Sequence, residues 1–131
     1  MGWRIMYNES SDIIEITYSG YITGQDLREA ATKRISLQKE TGSRLILSDA
    51  TQVIRNPSIA EILHLPDKLY PEYGAGRDSR IALVLPKNKK EAQELGHFFK
   101  IVAKNRGWFV ETFYDRQEAL NWLLNISQKQ T

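Results

Sequence analysis

The sequence predicts an α/β fold: a mixed, mostly parallel sheet of about five strands with four helices, in the order ββαβαβαβα. Three observations predict it. Ile14, Ile16 and Tyr18 alternate with Glu15 and Thr17, the period of a half-buried strand. Ile81-Ala82-Leu83-Val84-Leu85 is a continuous apolar run, as expected of a central, parallel strand covered on both faces. From Thr23 onward, strand-like runs alternate with segments whose apolar residues recur at helical spacing. Such alternation after a hairpin places helices on a largely parallel sheet, each β-α-β step crossing over right-handed. Strand order does not follow from the sequence.

The elements come in this order. Trp3 to Tyr7 is the first strand, and Asn8-Glu9-Ser10-Ser11-Asp12 is the turn into the second. Thr23 and Asp26 form a capping pair for a helix carrying Leu27, Ala30, Ala31 and Ile35, and Gly42 closes it. Leu45-Ile46-Leu47 is a short strand ending in Ser48-Asp49, and Ala50 to Pro57 reads as a loop. Pro57 suits the start of a second helix, where Ser58 and Glu61 form a capping box and Ile62, Leu65 and Leu69 follow. Pro66 should kink or shorten that helix; Pro71, Gly74 and Gly76 end it. Pro86 stops the apolar strand. Asn88 precedes a long helix with Ala92, Leu95, Phe99, Val102 and Ala103 on its buried stripe, ended by Gly107. Trp108 to Tyr114 is the last strand. Asp115 caps a last helix bearing Ala119, Leu120, Leu123 and Leu124.

The 131 residues fit one domain, residues 1–131. A domain of this size buries roughly two-thirds of its unfolded surface. Hydrophobic residues make up 41% and charged residues 26%, a globular mix. There is no cysteine, which excludes disulfides, thiolate nucleophiles and Cys-ligated zinc and suits a cytoplasmic location. Eighteen basic against sixteen acidic residues give a net charge of +2, and the basic residues are scattered, so nucleic acid is not an expected partner. No stretch approaches the ~20 apolar residues of a transmembrane segment.

No catalytic or cofactor motif stands out, and the expectation is a non-enzymatic module without a cofactor. The two histidines, His64 and His97, lie in different helices without ligand-spaced partners, so no metal site is expected. Gly74-Ala75-Gly76 precedes a strand, whereas a phosphate loop follows one; it reads as a turn. Trp122 belongs to the apolar stripe of the last helix, while Trp3 and Trp108 are placed to cover sheet edges. Asp49 sits at the exit of a buried strand, the edge where open α/β sheets bind ligands, although a turn role explains it as well. Ser58, as a helix N-cap, also stands where the helix dipole favours a phosphate.

The hairpin, the helix, Leu45-Ile46-Leu47-Ser48-Asp49, the loop and the capped helix at Ser58 together resemble the STAS domain (sulphate transporter and anti-sigma factor antagonist). The C-terminal third resembles the bacterial STAS/SEC14-like group of small stand-alone proteins. Their ending, Phe-x-Asp-x-x-Glu-Ala-x-x-Trp-Leu, is matched by Phe113, Asp115, Glu118, Ala119, Trp122 and Leu123. In regulatory STAS proteins a serine at the second helix start, in an Asp-Ser-Ser-Gly-like site, is phosphorylated by a partner kinase. Here Asn56-Pro57-Ser58-Ile59 stands there: Ser58 matches by position, but the acidic residue and the glycine are absent. The SEC14 side of the resemblance implies a small apolar or lipid ligand under the second helix, whose Pro-broken stretch, Ile59 to Tyr73, would form a lid.

Two functions follow as expectations. The first is a regulator whose surface around Asp49, Arg55, Asn56 and Ser58 meets a partner protein. The second is a carrier of an apolar ligand held under the second helix by residues such as Leu65 and Tyr70. An enzyme is a distant third, to be revived by His64 within hydrogen-bond reach of Asp49 or Ser58. A homodimer through the Trp3 edge or the last helix stays open.

Overall fold

The computed structural model describes residues 2–129, with side chains described for 2–125. The five strands are β1 (Trp3–Asn8), β2 (Ile13–Tyr21), β3 (Leu45–Arg55), β4 (Arg80–Val84) and β5 (Phe109–Phe113). They form one sheet in simple sequence order, β1-β2-β3-β4-β5. β1 and β2 pair antiparallel, and every later pair is parallel. The mixed sheet and central β4 therefore match the sequence expectation.

Helix α1 (Gly24–Thr41) begins in a full capping box: the Asp26 amide donates to Thr23 Oγ1 at 3.1 Å, and the Thr23 amide donates to Asp26 Oδ2 at 2.9 Å. Helix α2 (Ile59–His64) runs on through a π-helical segment, Leu65–Leu69, and one further α turn, Tyr70–Glu72. Pro66 explains the irregularity, because it has no N–H for the α ladder. The Tyr70 amide reaches back to the Leu65 carbonyl. The Pro66 carbonyl is thereby released, and it accepts the Trp108 indole N–H at 3.1 Å. Helices α3 (Lys90–Asn105) and α4 (Arg116–Lys129) complete the fold. The Glu118 amide donates to Asp115 Oδ2 at 3.1 Å, the expected cap of α4.

The sheet steps in one direction through crossovers that do not reverse, so α1, α2 and α3 share one face. Ile14 and Ile16 of β2, Ile46 of β3, Ile81 of β4 and Val110 of β5 point into that layer. The alternate residues Ile13, Leu45, Leu47, Ala82 and Val84 meet Ala119 and Leu123 of α4 on the other face. Helix α4 packs on β3, β4 and β5, and Met6 of β1 is exposed.

Two expectations are corrected. The loop expected over Ala50 to Pro57 is mostly strand: β3 continues to Arg55, paired with the long end of β2 through Ser19–Gln52, Gly20–Val53 and Tyr21–Arg55. Its register slips twice, so β3 carries extra residues opposite β2. At the first slip Asp49 Oδ1 accepts from the Thr51 amide at 2.9 Å and the Thr51 hydroxyl at 2.6 Å. That local turn chemistry is why the segment reads as a loop. The second correction is Trp108, which covers no edge. It is buried, bonded to Pro66, and meets the Tyr70 ring edge-on at 5.3 Å. Trp3 is half-buried against the three-helix layer.

Candidate functional site

An apolar cavity of about 110 Å³ lies between α2, α3 and the sheet. Its sheet side is built from Ser48 and Ala50 of β3 and Ile81 and Leu83 of β4. Ile62 and Leu65 come from α2, and Leu95, Gly96 and Phe99 from α3. Tyr18 of β2 and Leu27 of α1 close the remaining side. Leu83 is only half-buried although it sits on an interior strand, because it faces this space and not a helix.

The local structure makes the cavity. No residue of Ile59–His64 is buried, so this stretch of α2 stands off the sheet instead of filling the space beneath it. α3 does the opposite. Gly96 lets it approach the end of β4, since a Cβ there would lie 2.6 Å from Leu85 Cδ2. The close α3–β4 approach at Gly96 and Leu85 forms one wall of the hollow that α2 leaves open.

A broad groove adjoins the cavity. It runs between the end of β3 with the α2 start on one side and the α3 start on the other. Val53, Asn56, Ala92 and Leu95 line both spaces, so the groove is the mouth of the cavity. Lys89 bridges its rim, its Nζ donating to the Val53 carbonyl at 2.7 Å. Ile54, Ile59 and Phe98 line the groove and are exposed by 63%, 51% and 42%, a concentration of apolar surface in one place.

The residues singled out in the sequence separate. Asn56 lines both spaces, Arg55 and Ser58 the groove, and Leu65 the cavity. Asp49 lines neither. By strand alternation it shares the face of Leu45 and Leu47 and looks toward α4. Tyr70 is also outside: it is sealed between Trp108 and Arg34, whose guanidinium lies 4.7 Å from its ring centre. Burial raises the Tyr70 phenol, with Arg34 opposing the rise. Ser58 is exposed and already engaged. Its Oγ accepts the Glu61 amide at 3.2 Å and stands 3.1 Å from Glu61 Oε1.

His64 does not approach Asp49 or Ser58; it lies beside Gln25, Arg28 and Glu29 of α1. His97 Nε2 is 2.7 Å from the Tyr114 hydroxyl and its Nδ1 is 3.1 Å from Thr112 Oγ1, across the α3–β5 contact. Among the described residues no group of three or more His, Asp or Glu is placed to hold a metal ion. Among them, too, no helix is long and apolar enough to cross a membrane.

Sequence reasoning missed Tyr18, Ser48, Leu83 and Ala92. One signal was available. Ser48 is two residues from Ile46, so it occupies an inward position on a buried strand, where a hydroxyl is unusual.

No family model matches this sequence, and no curated protein matches it. Among solved structures, the chain is similar to an uncharacterised protein of the DUF3478 family with a SpoIIAA-like fold, from Shewanella loihica PV-4. The likeness covers 93% of this chain and 94% of the other, with a TM-score of 0.60 and 19% sequence identity. The fold is SpoIIAA-like. This bears out the STAS-like architecture expected from the sequence and says nothing of the SEC14 side of that resemblance. At 19% identity the likeness carries architecture alone, so function must be argued from the site of this SpoIIAA-like chain.

Proposed function

We propose that this SpoIIAA-like chain is a non-enzymatic binding module that takes a small apolar group into the cavity beneath α2. One observation carries the reading: an apolar space of about 110 Å³ opens through a groove at the C-terminal ends of the central strands. Interiors are close-packed, and voids of this size are few. An apolar occupant would supply the packing contacts that the lining lacks on this side. The position is also where open α/β sheets bind ligands. The size favours a short or compact group, since a cavity of about 150 Å³ takes up benzene.

The test is a titration of the purified chain with toluene, read by amide NMR and thermal unfolding, beside native mass spectrometry of freshly purified protein. Amide shifts confined to residues such as Leu83 and Leu95 are expected, with stabilisation of about 1.4 kcal/mol at tenfold excess over Kd. Ala92→Phe, which plugs the mouth, should abolish both. A clean apo mass, together with no shifts and no stabilisation, would sink the reading.

A second reading, docking of a partner protein, is favoured by the exposed Ile54, Ile59 and Phe98 in the groove beside Ser58. A phosphate switch at Ser58 is the weaker form of it, since Glu61 already occupies that helix start and a phosphate would repel it. Photo-crosslinking from position 54 in cells, with phosphate mapping of Ser58, distinguishes the two forms. No crosslinked partner counts against docking, and an unmodified Ser58 counts against the switch.

A further inference from the structure

We infer that the occupant of the cavity is a short aliphatic molecule ending in a hydrogen-bond acceptor, a carboxylate or a ketone-type carbonyl, held by the hydroxyls of Tyr18 and Ser48. The inference rests on the cavity being a ligand site and adds the chemistry of the ligand. Both residues line the cavity. They reach it from adjacent strands on the same sheet face: Ser48 pairs with Ile16, and Tyr18 lies two residues beyond Ile16. The two side chains are therefore diagonal neighbours on one sheet face, and both line the one space.

Neither hydroxyl is hydrogen-bonded to another described residue, although the structure satisfies its other buried side chains closely. Trp3 Nε1 is the single sealed side-chain nitrogen or oxygen left without a partner among the described residues. The Tyr18 and Ser48 hydroxyls are thus neither paired nor sealed; they face open space. An apolar pocket with a few convergent polar groups is the usual form of a small-molecule site.

The surroundings set the polarity. Arg34 is only 3% exposed and has no carboxylate partner among the described residues; its Nη1 donates to Gln38 Oε1 at 2.9 Å. Its charge is felt at Tyr18, where it opposes the effect of burial on the phenol. Arg34 lies outside the cavity lining, over the Tyr70 ring, but a buried cation near the Tyr18 phenol favours an acceptor or an anion over a donor at that hydroxyl. Burial also pushes the Tyr18 phenol well up, so it remains a donor under ordinary conditions.

The test titrates the full chain with valerate, methyl propyl ketone and pentane, which share size but differ in the head, read by amide NMR. Wild type should bind the better of the two head-bearing ligands roughly three- to tenfold more tightly than pentane, the worth of one or two hydrogen bonds. Tyr18→Phe and Ser48→Ala should each narrow that gap and leave pentane binding unchanged, which also shows that the cavity is intact. Preference for valerate over the ketone identifies a carboxylate ligand, and the reverse a neutral carbonyl. Pentane bound as tightly as both others, or a gap unchanged in both variants, overturns the head-group assignment. Binding of none of the three to wild type overturns the cavity reading itself.

Discussion

Ser48 on β3 pairs directly with Leu83 on β4, and both central-strand side chains look into open space where helices cover the rest of that face. In a chain selected for stability alone this position would hold a larger apolar residue. Ser48→Val should therefore stabilise the protein. The serine hydroxyl has no described protein partner to lose, and added apolar burial contributes about 0.8 kcal/mol per methylene-sized group. The expected gain is about 1 kcal/mol, a few degrees in Tm by thermal melt. A loss of stability would mean that the hydroxyl is structurally engaged after all. Gain of stability with loss of ligand affinity is the trade expected of a binding position.

The start of α2 is tied to the start of α1 through Glu61. Its carboxylate accepts from the Ser58 amide at 3.2 Å, and a Cβ placed on Gly24 would fall 1.8 Å from Glu61 Oε2. Gly24→Ala should displace that carboxylate and break the capping box, costing about 1 kcal/mol locally. Hydrogen exchange would show it: faster exchange at Ile62 and Leu63, with β4 amides unchanged. If those amides keep their protection, Glu61 is dispensable to α2.

The sheet and helices were legible because each rests on short-range signals that agree with the packing. The apolar run at Ile81 is central because nothing polar interrupts it, and the boxes at Thr23 and Ser58 form as spaced. The far half of β3 was not legible, because Asp49 and Thr51 make a local turn bond inside a strand and only the long-range pairing to β2 overrides it. The candidate site was half legible. Asn56, Ser58 and Leu65 belong to the cavity or its mouth, but Asp49 alternates to the other face and Tyr70 is consumed by packing on Trp108. A hollow is a missing contact between distant elements, and no spacing along one chain encodes it.

The π segment gives a sharper prediction. The Tyr70 amide bonds the Leu65 carbonyl in the π segment, and the Pro66 carbonyl this frees is taken by the Trp108 indole. Trp108→Phe keeps an aromatic ring against Tyr70 but leaves that carbonyl without its donor. Urea unfolding should show a loss of about 1–3 kcal/mol. An unchanged midpoint would show that water or a regular helical turn satisfies the carbonyl equally well.

Glu111 on β5 supplies an acid-sensitive link to α3. Lys100 Nζ lies 3.0 Å from its Oε1, and Lys104 Nζ lies 3.1 Å from its Oε2. Burial alone would raise this carboxyl, but the two lysines overcome it and hold the group below its ordinary value of 4.5. A depressed folded-state value means the contribution is present above about that pH and is lost as pH falls through the lower folded value. The lysines reach solvent, so its size stays under about 1 kcal/mol. Wild type should thus lose more stability than Glu111→Gln between neutral pH and pH 3, the gap closing below pH 4.5. Denaturant unfolding at both ends of that range measures it, and parallel pH profiles for the two proteins would show that the bridge between α3 and β5 carries no net energy.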